Sequence, residues 1–376
     1  MIPLSVPSLK GNEWKYVKEC LDTEWVSSAG KYVDKFEQDM ASYLGAKHAI
    51  ACMNGTSALH ISLMLADVRP NDEVIVPTIT FIAPANAVKY VGADPVFMDC
   101  DDYCNIDINK VRLFFETQCD FINGNLINKK SKKRVAAIIP VHVLGTPVDM
   151  DPLMELAHRY NVKVIEDATE SLGSEYKGVK TGTLGLLGCL SFNGNKIITT
   201  GGGGMIITDD EHLAKRARYL TTQAKEEGTE YIHNEIGFNY RLVNVLAAIG
   251  VAQLEEIDNY VEIKRRNFNL YKKLLADNSY TILDEPDYAK SNKWFYAVLC
   301  KDKKEKGFLL KHLNNNGVEA RPLWFLNHLQ TPYAKCQSYK IEKALKMYDT
   351  IVNIPCSVNL SEKEIEEVVK VMKNAC

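Results

Sequence analysis

The most useful clues in this sequence are at first the missing ones. None of the ten cysteines forms a Cys-x-x-Cys pair. The closest two, Cys100 and Cys104, have no second pair or histidine cluster at zinc-finger spacing, so no metal site is expected. Scattered cysteines of this kind fit a reduced compartment. No stretch approaches the roughly 18 to 20 apolar residues that a membrane span requires. The start, Met1-Ile2-Pro3-Leu4-Ser5-Val6-Pro7, lacks a basic segment followed by an apolar one, so no secretory signal is read. Formal charge is only −3, and neither a basic stripe nor a polybasic tail is present. That gives no support for a nucleic-acid or anionic-membrane partner. The basic cluster at 129–134 sits in a polar stretch and reads as a solvated loop. Repeats and low-complexity tracts are also lacking. The expectation is a soluble, cytoplasmic protein.

At 376 residues, with 46% apolar and 25% charged, the chain is long enough for a large core and two domains, placed at 1–255 and 256–376. Residues 48–53, 72–77, 95–99, 135–141 and 162–165 are short apolar runs without alternation, separated by segments of helical period. That pattern predicts an α/β fold with a mostly parallel sheet covered on both faces, and ligands beyond the carboxyl ends of its strands. The polar stretch 221–235 reads as a mobile loop. A charged helix over 257–275 leads into a smaller α+β lobe, with a strand over 294–299 and helices near 306–314 and 361–372.

The residue that most needs explaining is Lys196. It follows Asn193-Gly194-Asn195 between the apolar runs 188–192 and 205–208, and glycines 201–204 come after it. A lysine beside a hairpin turn is ordinarily just solvated. Three features argue otherwise here: Ser191 five residues upstream, the glycine run where backbone packs closely, and Asp167 closing the strand Val162-Lys163-Val164-Ile165-Glu166. Further upstream, Asn54-Gly55-Thr56-Ser57 links a strand to a helix, a layout that aims backbone N–H groups at an anion. Each part has a plainer reading. Asn54–Ser57 is equally a helix cap, Asp167 a cap or a buried amide partner, and His142 either lines the same pocket or packs.

The stretches Ile165-Glu166-Asp167-Ala168, Ser191-Phe192 through Lys196, glycines 201–204 and Gly237-Phe238-Asn239-Tyr240-Arg241-Leu242 resemble, in content and order across residues 7–370, the nucleotide-sugar aminotransferases of the DegT/DnrJ/EryC1/StrS family. The resemblance implies a type I aminotransferase fold with pyridoxal 5'-phosphate linked to Lys196 and Asp167 against its pyridine nitrogen. It implies further cofactor contacts from Gly55, Thr56, Ser57, Phe81, Glu170 and Ser191. It also implies a homodimer in which Asn239 reaches the neighbouring subunit's cofactor phosphate, with Arg241 supporting it or touching substrate. Trp25, Ser28, Arg321, Trp324 and His328 are the remaining substrate candidates. Read alone, Trp25 and Phe81 are core residues and His328 a surface residue. The implied reaction moves an amino group from L-glutamate to C4 of a UDP-linked 2-acetamido-4-keto-2,6-dideoxyhexose. GDP- or dTDP-linked 4-keto-6-deoxy sugars are the alternative, and a non-catalytic cofactor-binding regulator is the other. Relatives with histidine in place of the lysine dehydrate; Lys196 favours amino transfer.

Overall fold

The computed structural model describes residues 1–226, 229–276 and 280–375. Its frame is an eight-stranded sheet in the spatial order His48–Cys52, Gly204–Thr208, Leu187–Ser191, Lys163–Asp167, Val135–Ile138, Glu73–Pro77, Asp94–Met98 and Ser338–Tyr339. Gly204–Thr208 runs antiparallel to both its neighbours, and the other pairings are parallel. Ile50, Ile75, Val76, Ile165, Cys189 and Ile206 are all within 1% of full burial, which is why these strands read as unbroken apolar runs.

Helices cover the sheet for reasons visible in their sequences. Lys31–Leu44 buries Val33, Phe36, Met40 and Leu44 along one stripe and stops at Gly45, whose φ of 73° closes the helix in the left-handed region. Asn244–Leu254 is apolar nearly all round, and its Gly250 lets the Phe36 ring approach so closely that a Cβ there would lie 2.7 Å from it.

The smaller lobe is a four-stranded antiparallel sheet, ordered Thr281–Ile282, Tyr296–Leu299, Ile351–Ile354 and Arg321–Pro322. Phe268, Tyr271, Tyr296, Leu309, Val352 and Ile365 form its core beneath the helix Ile257–Leu274. The chain crosses between lobes more than once. The Ile2 N–H donates to Gly317 O and the Cys356 N–H to Leu4 O, tying the amino terminus to the small lobe, while Ser338–Tyr339 extends the large sheet.

Two elements differ from expectation. The strand read at 294–299 starts at Tyr296, because Asn292 caps the preceding turn through Trp294 N–H. The polar insert before Arg134 contains a hairpin, Cys119–Ile122 with Asn125–Asn128. The loop expected at 221–235 lies partly outside the described residues, at 227–228. Among the described residues all cysteines are free, no acidic, histidine or cysteine cluster fits a metal, and no helix is long and apolar enough to cross a membrane.

Candidate active site

Strand directions gather the site. His48–Cys52, Lys163–Asp167 and Leu187–Ser191 point the same way, so Asn54, Asp167 and Ser191 emerge at one edge of the sheet. Gly204 begins the intervening antiparallel strand at that edge. A Cβ on it would lie 2.4 Å from the Asn54 carbonyl, so only glycine allows strand and turn to pack this tightly. Between this edge and the small lobe lies a cavity of about 540 Å³. Its wall includes Asn54, Gly55, Thr56, Phe81, Asp167, Glu170, Ser191 and Lys196 from the large lobe, and Trp294, Arg321, Trp324 and Asn353 from the small one.

Lys196 sits in the long loop between Leu187–Ser191 and Gly204–Thr208. Its side chain is 12% exposed, with Nζ 4.0 Å from Glu170 Oε1. Glu170 Oε2 in turn accepts the Leu144 N–H at 2.9 Å. Asp167 is 2% exposed and Oδ1 accepts the Thr169 N–H at 3.1 Å. Burial shapes the protonation of all three. It holds the Lys196 amine below the usual lysine value against the opposing charges of Glu170 and Asp167. It raises the Asp167 carboxyl, and it pushes Glu170 up to about 7. A lysine that gives up its proton readily can act as a nucleophile and a base.

These residues fit pyridoxal phosphate on three counts. An amine lies in the cavity wall, a buried carboxylate lies near it, and a helix begins at the same wall. In that helix, Gly55–Leu65, the Asn54 side chain takes the Ser57 N–H at 2.8 Å. The first-turn N–H groups of Gly55 and Thr56, both wall residues, have no partner within the helix and suit a phosphate.

The remaining candidates divide. Phe81, 55% exposed on the wall, is no core residue, and Arg321 and Trp324 line the cavity. Ser57 is buried behind the cap and is not a wall residue, because the helix turns it inward. His142 is a packing residue: its Nδ1 accepts the Val148 N–H at 3.0 Å and its Nε2–H donates to Glu166 Oε2 at 3.0 Å. His328 lies off the wall with its Nδ1 2.7 Å from Thr78 Oγ1. Trp25 and Ser28 are exposed outside this chain's own cavity, and the Trp25 carbonyl accepts from the Asn244 side chain. Asn239 is also exposed away from it. Arg241, expected near ligand, is instead 8% exposed and bonded to Glu37, which also accepts from Arg218 and the Ala51 N–H. Its guanidinium fastens the 237–242 segment to the sheet.

Sequence reading missed Trp294, whose ring lies beneath Lys196, and Thr169 and Asn353. Thr169 flanks a motif already singled out; Trp294 and Asn353 carry no local signal.

Comparison with known proteins agrees with this geometry. The profile of the DegT/DnrJ/EryC1/StrS aminotransferase family matches residues 7–373. The GDP-perosamine synthase of Caulobacter vibrioides is 40% identical over 98% of this chain and 96% of its own. The UDP-4-amino-4,6-dideoxy-N-acetyl-beta-L-altrosamine transaminase of Campylobacter jejuni is 30% identical over 91% of this chain and 89% of its own. The aminotransferase TlmJ from Streptoalloteichus hindustanus superposes with a TM-score of 0.90 at 27% identity, covering 100% of this chain and 98% of that one. Both the match along almost the whole sequence and the lysine–carboxylate cavity place this chain in the DegT/DnrJ/EryC1/StrS family of pyridoxal-phosphate-dependent aminotransferases.

Proposed function

We propose that this enzyme transfers an amino group from L-glutamate to C4 of a GDP-linked 4-keto-6-deoxy sugar. The observation that carries the nucleotide is the 40% identity to a GDP-perosamine synthase, against 30% to a UDP-sugar transaminase. The UDP-linked N-acetyl sugar implied by the family resemblance becomes the second reading, and the dTDP series the third. Family membership and the lysine in the cavity favour an enzyme over a non-catalytic regulator.

Bound pyridoxal phosphate supplies an electron sink for the carbon that loses its proton. The chain's own residues do the rest. Asp167 presents a buried carboxylate to the pyridine nitrogen, and Gly55 and Thr56 offer N–H groups to the phosphate. Phe81, Glu170 and Ser191 complete that side. Lys196 would hold the cofactor between turnovers, and its amine, when free, would take a proton from the donor carbon and return it as the general acid. Arg321 offers a charged fork to the diphosphate and Trp324 a flat apolar face to sugar or base.

Asn239, Trp25 and Ser28 are assigned to the cavity of a second copy across a two-fold axis. The large exposed apolar residues Trp14, Tyr231 and Ile236, each more than 80% exposed, support such a pairing. Mixing Lys196→Ala with Asn239→Ala chains should restore activity, and a fully active monomer by light scattering would end the idea.

The substrate is tested by kcat/KM for GDP-, UDP- and dTDP-linked 4-keto-6-deoxy sugars side by side, with 2-oxoglutarate release as the readout. The GDP series should lead. A UDP or dTDP preference would replace the substrate while leaving the amino-transfer chemistry in place.

A further inference from the structure

The Lys196 amine meets the small lobe at Trp294. Its Nζ stands 4.0 Å from the centroid of the Trp294 ring, on the ring's face. Ordinary packing against an aliphatic stem would not require a tryptophan there. A desolvated indole face does something that an aliphatic wall cannot, because its negative quadrupole attracts an ammonium group.

Trp294 is also held more firmly than packing alone would demand. Its backbone N–H donates to Asn292 Oδ1 at 2.9 Å, and its indole Nε1–H donates to Asn195 O at 2.7 Å. Phe295 stacks against it at 4.1 Å and 7°, and Trp324 lies near-parallel at 6.2 Å and 13°. Asn292 is fixed in turn. Its Nδ2 donates to the carbonyls of Glu170 and Leu172, both at 2.9 Å, and its backbone N–H to Ser174 Oγ at 2.8 Å. A Cβ on Gly145 would fall 2.0 Å from its Oδ1, so the clamp requires glycine there. One side chain, Asn292, therefore sets both groups that approach the amine: the Trp294 ring and the turn bearing Glu170. The loop closes through Asn195, the neighbour of Lys196.

We propose that Trp294 is a positioning residue, the resting face on which the Lys196 amine is held, as ammonium, once it has taken up a proton and is not bonded to the cofactor. The proposal rests on the aminotransferase reading only for its place in the cycle, since an amine waiting to return a proton must stay near the reacting carbon. Among the described residues, the charged groups facing the amine are Glu170 and Asp167, with the buried His142–Glu166 pair behind Asp167. Both carboxylates come from the large lobe, and the ring is what the small lobe contributes.

The test uses the full-length, cofactor-free protein. Acylation of Lys196 is followed against pH by peptide mass spectrometry in wild type, Trp294→Phe and Trp294→Leu. Loss of the aromatic face removes a stabilisation of the ammonium form, so the midpoint in the leucine variant should fall by about one pH unit. The phenylalanine variant keeps a face but loses the bond to Asn195, and its midpoint should stay close to wild type. In the reconstituted enzyme the leucine variant should lower kcat more than it raises KM for glutamate. An unchanged midpoint in a leucine variant of wild-type melting temperature would overturn the proposal. So would a phenylalanine variant displaced as far as leucine, since that would trace the effect to the Asn195 bond. Because acylation needs no sugar, an enzyme inactive on every nucleotide sugar would defeat the functional reading and leave this result standing on its own.

Discussion

The two walls of the cavity hold their charged groups in opposite ways. On the large-lobe wall Lys196, Asp167 and Glu170 are buried, and each is displaced toward its neutral form by the loss of water. On the small-lobe wall Arg321 has a 69% exposed side chain, and its guanidinium is bonded to Glu319 Oε1 at 2.9 Å. Glu319 also accepts the Leu4 N–H at 3.0 Å, which ties this wall to the amino terminus. Buried groups have their reactivity set by the protein, whereas an exposed arginine can swing to meet a ligand. Under the proposed function, the large-lobe wall is the chemical wall and the Arg321 side of the small lobe serves recognition.

The comparison predicts a graded set of losses. Lys196→Ala should have the largest effect, a fall in kcat of about 10⁴-fold or more, because nucleophile and proton carrier vanish together. A multiple-turnover glutamate–keto sugar assay measures it. Asp167→Asn keeps the shape and removes the charge, so kcat should fall about 10²- to 10³-fold with the protein still binding pyridoxal phosphate. Near-native turnover would remove Asp167 from the chemical wall.

The difference between the walls also explains what was legible in the sequence. Asp167, Ser191 and Lys196 lie at or just past the ends of neighbouring strands, so short motifs and strand order together brought them to one edge. The second wall is assembled from residues 4–5, 294–295, 319–324 and 353, which no local pattern connects. Trp294 read as the start of a buried strand because an aromatic run looks the same whether it packs inward or faces a lysine. The surroundings of Arg241 were hidden for a related reason. It lies two residues from Asn239 in one motif, yet Glu37, far away in sequence, draws its side chain into the fold. Helix and strand positions were largely recoverable, since period and burial agree along most of the large sheet. The hairpin in the polar insert was not, because its strand Cys119–Ile122 is only four residues long and exposed at the last three, so its apolar residues mark no buried face.

Smaller effects sharpen the contrast. Arg321→Ala should raise KM for the nucleotide sugar by about 10-fold with little change in kcat, as expected for a charge that binds ground and transition states alike. A kcat loss of similar size would move Arg321 to the chemical wall. Glu170→Gln addresses pH. A carboxyl raised to about 7 in the folded state binds more protons than the unfolded chain between its ordinary value of 4.5 and 7. Glu170 therefore contributes stability at low pH that is lost as pH rises through that window. The cofactor-free glutamine variant should show a flatter melting-temperature profile there, measured by calorimetry. Arg241→Ala should leave both kcat and KM nearly unchanged. It should cost about 2 to 3 kcal/mol of stability, because Glu37 stays buried with one fewer cation.

The central claim, that the buried wall carries the reaction through one lysine, is tested most directly by borohydride reduction of the enzyme reconstituted with pyridoxal phosphate, followed by digestion and peptide mapping. The account predicts one pyridoxyl group per chain, on the peptide containing Lys196, and none in the Lys196→Ala protein. A label on any other lysine, or an undiminished label after that substitution, would contradict it.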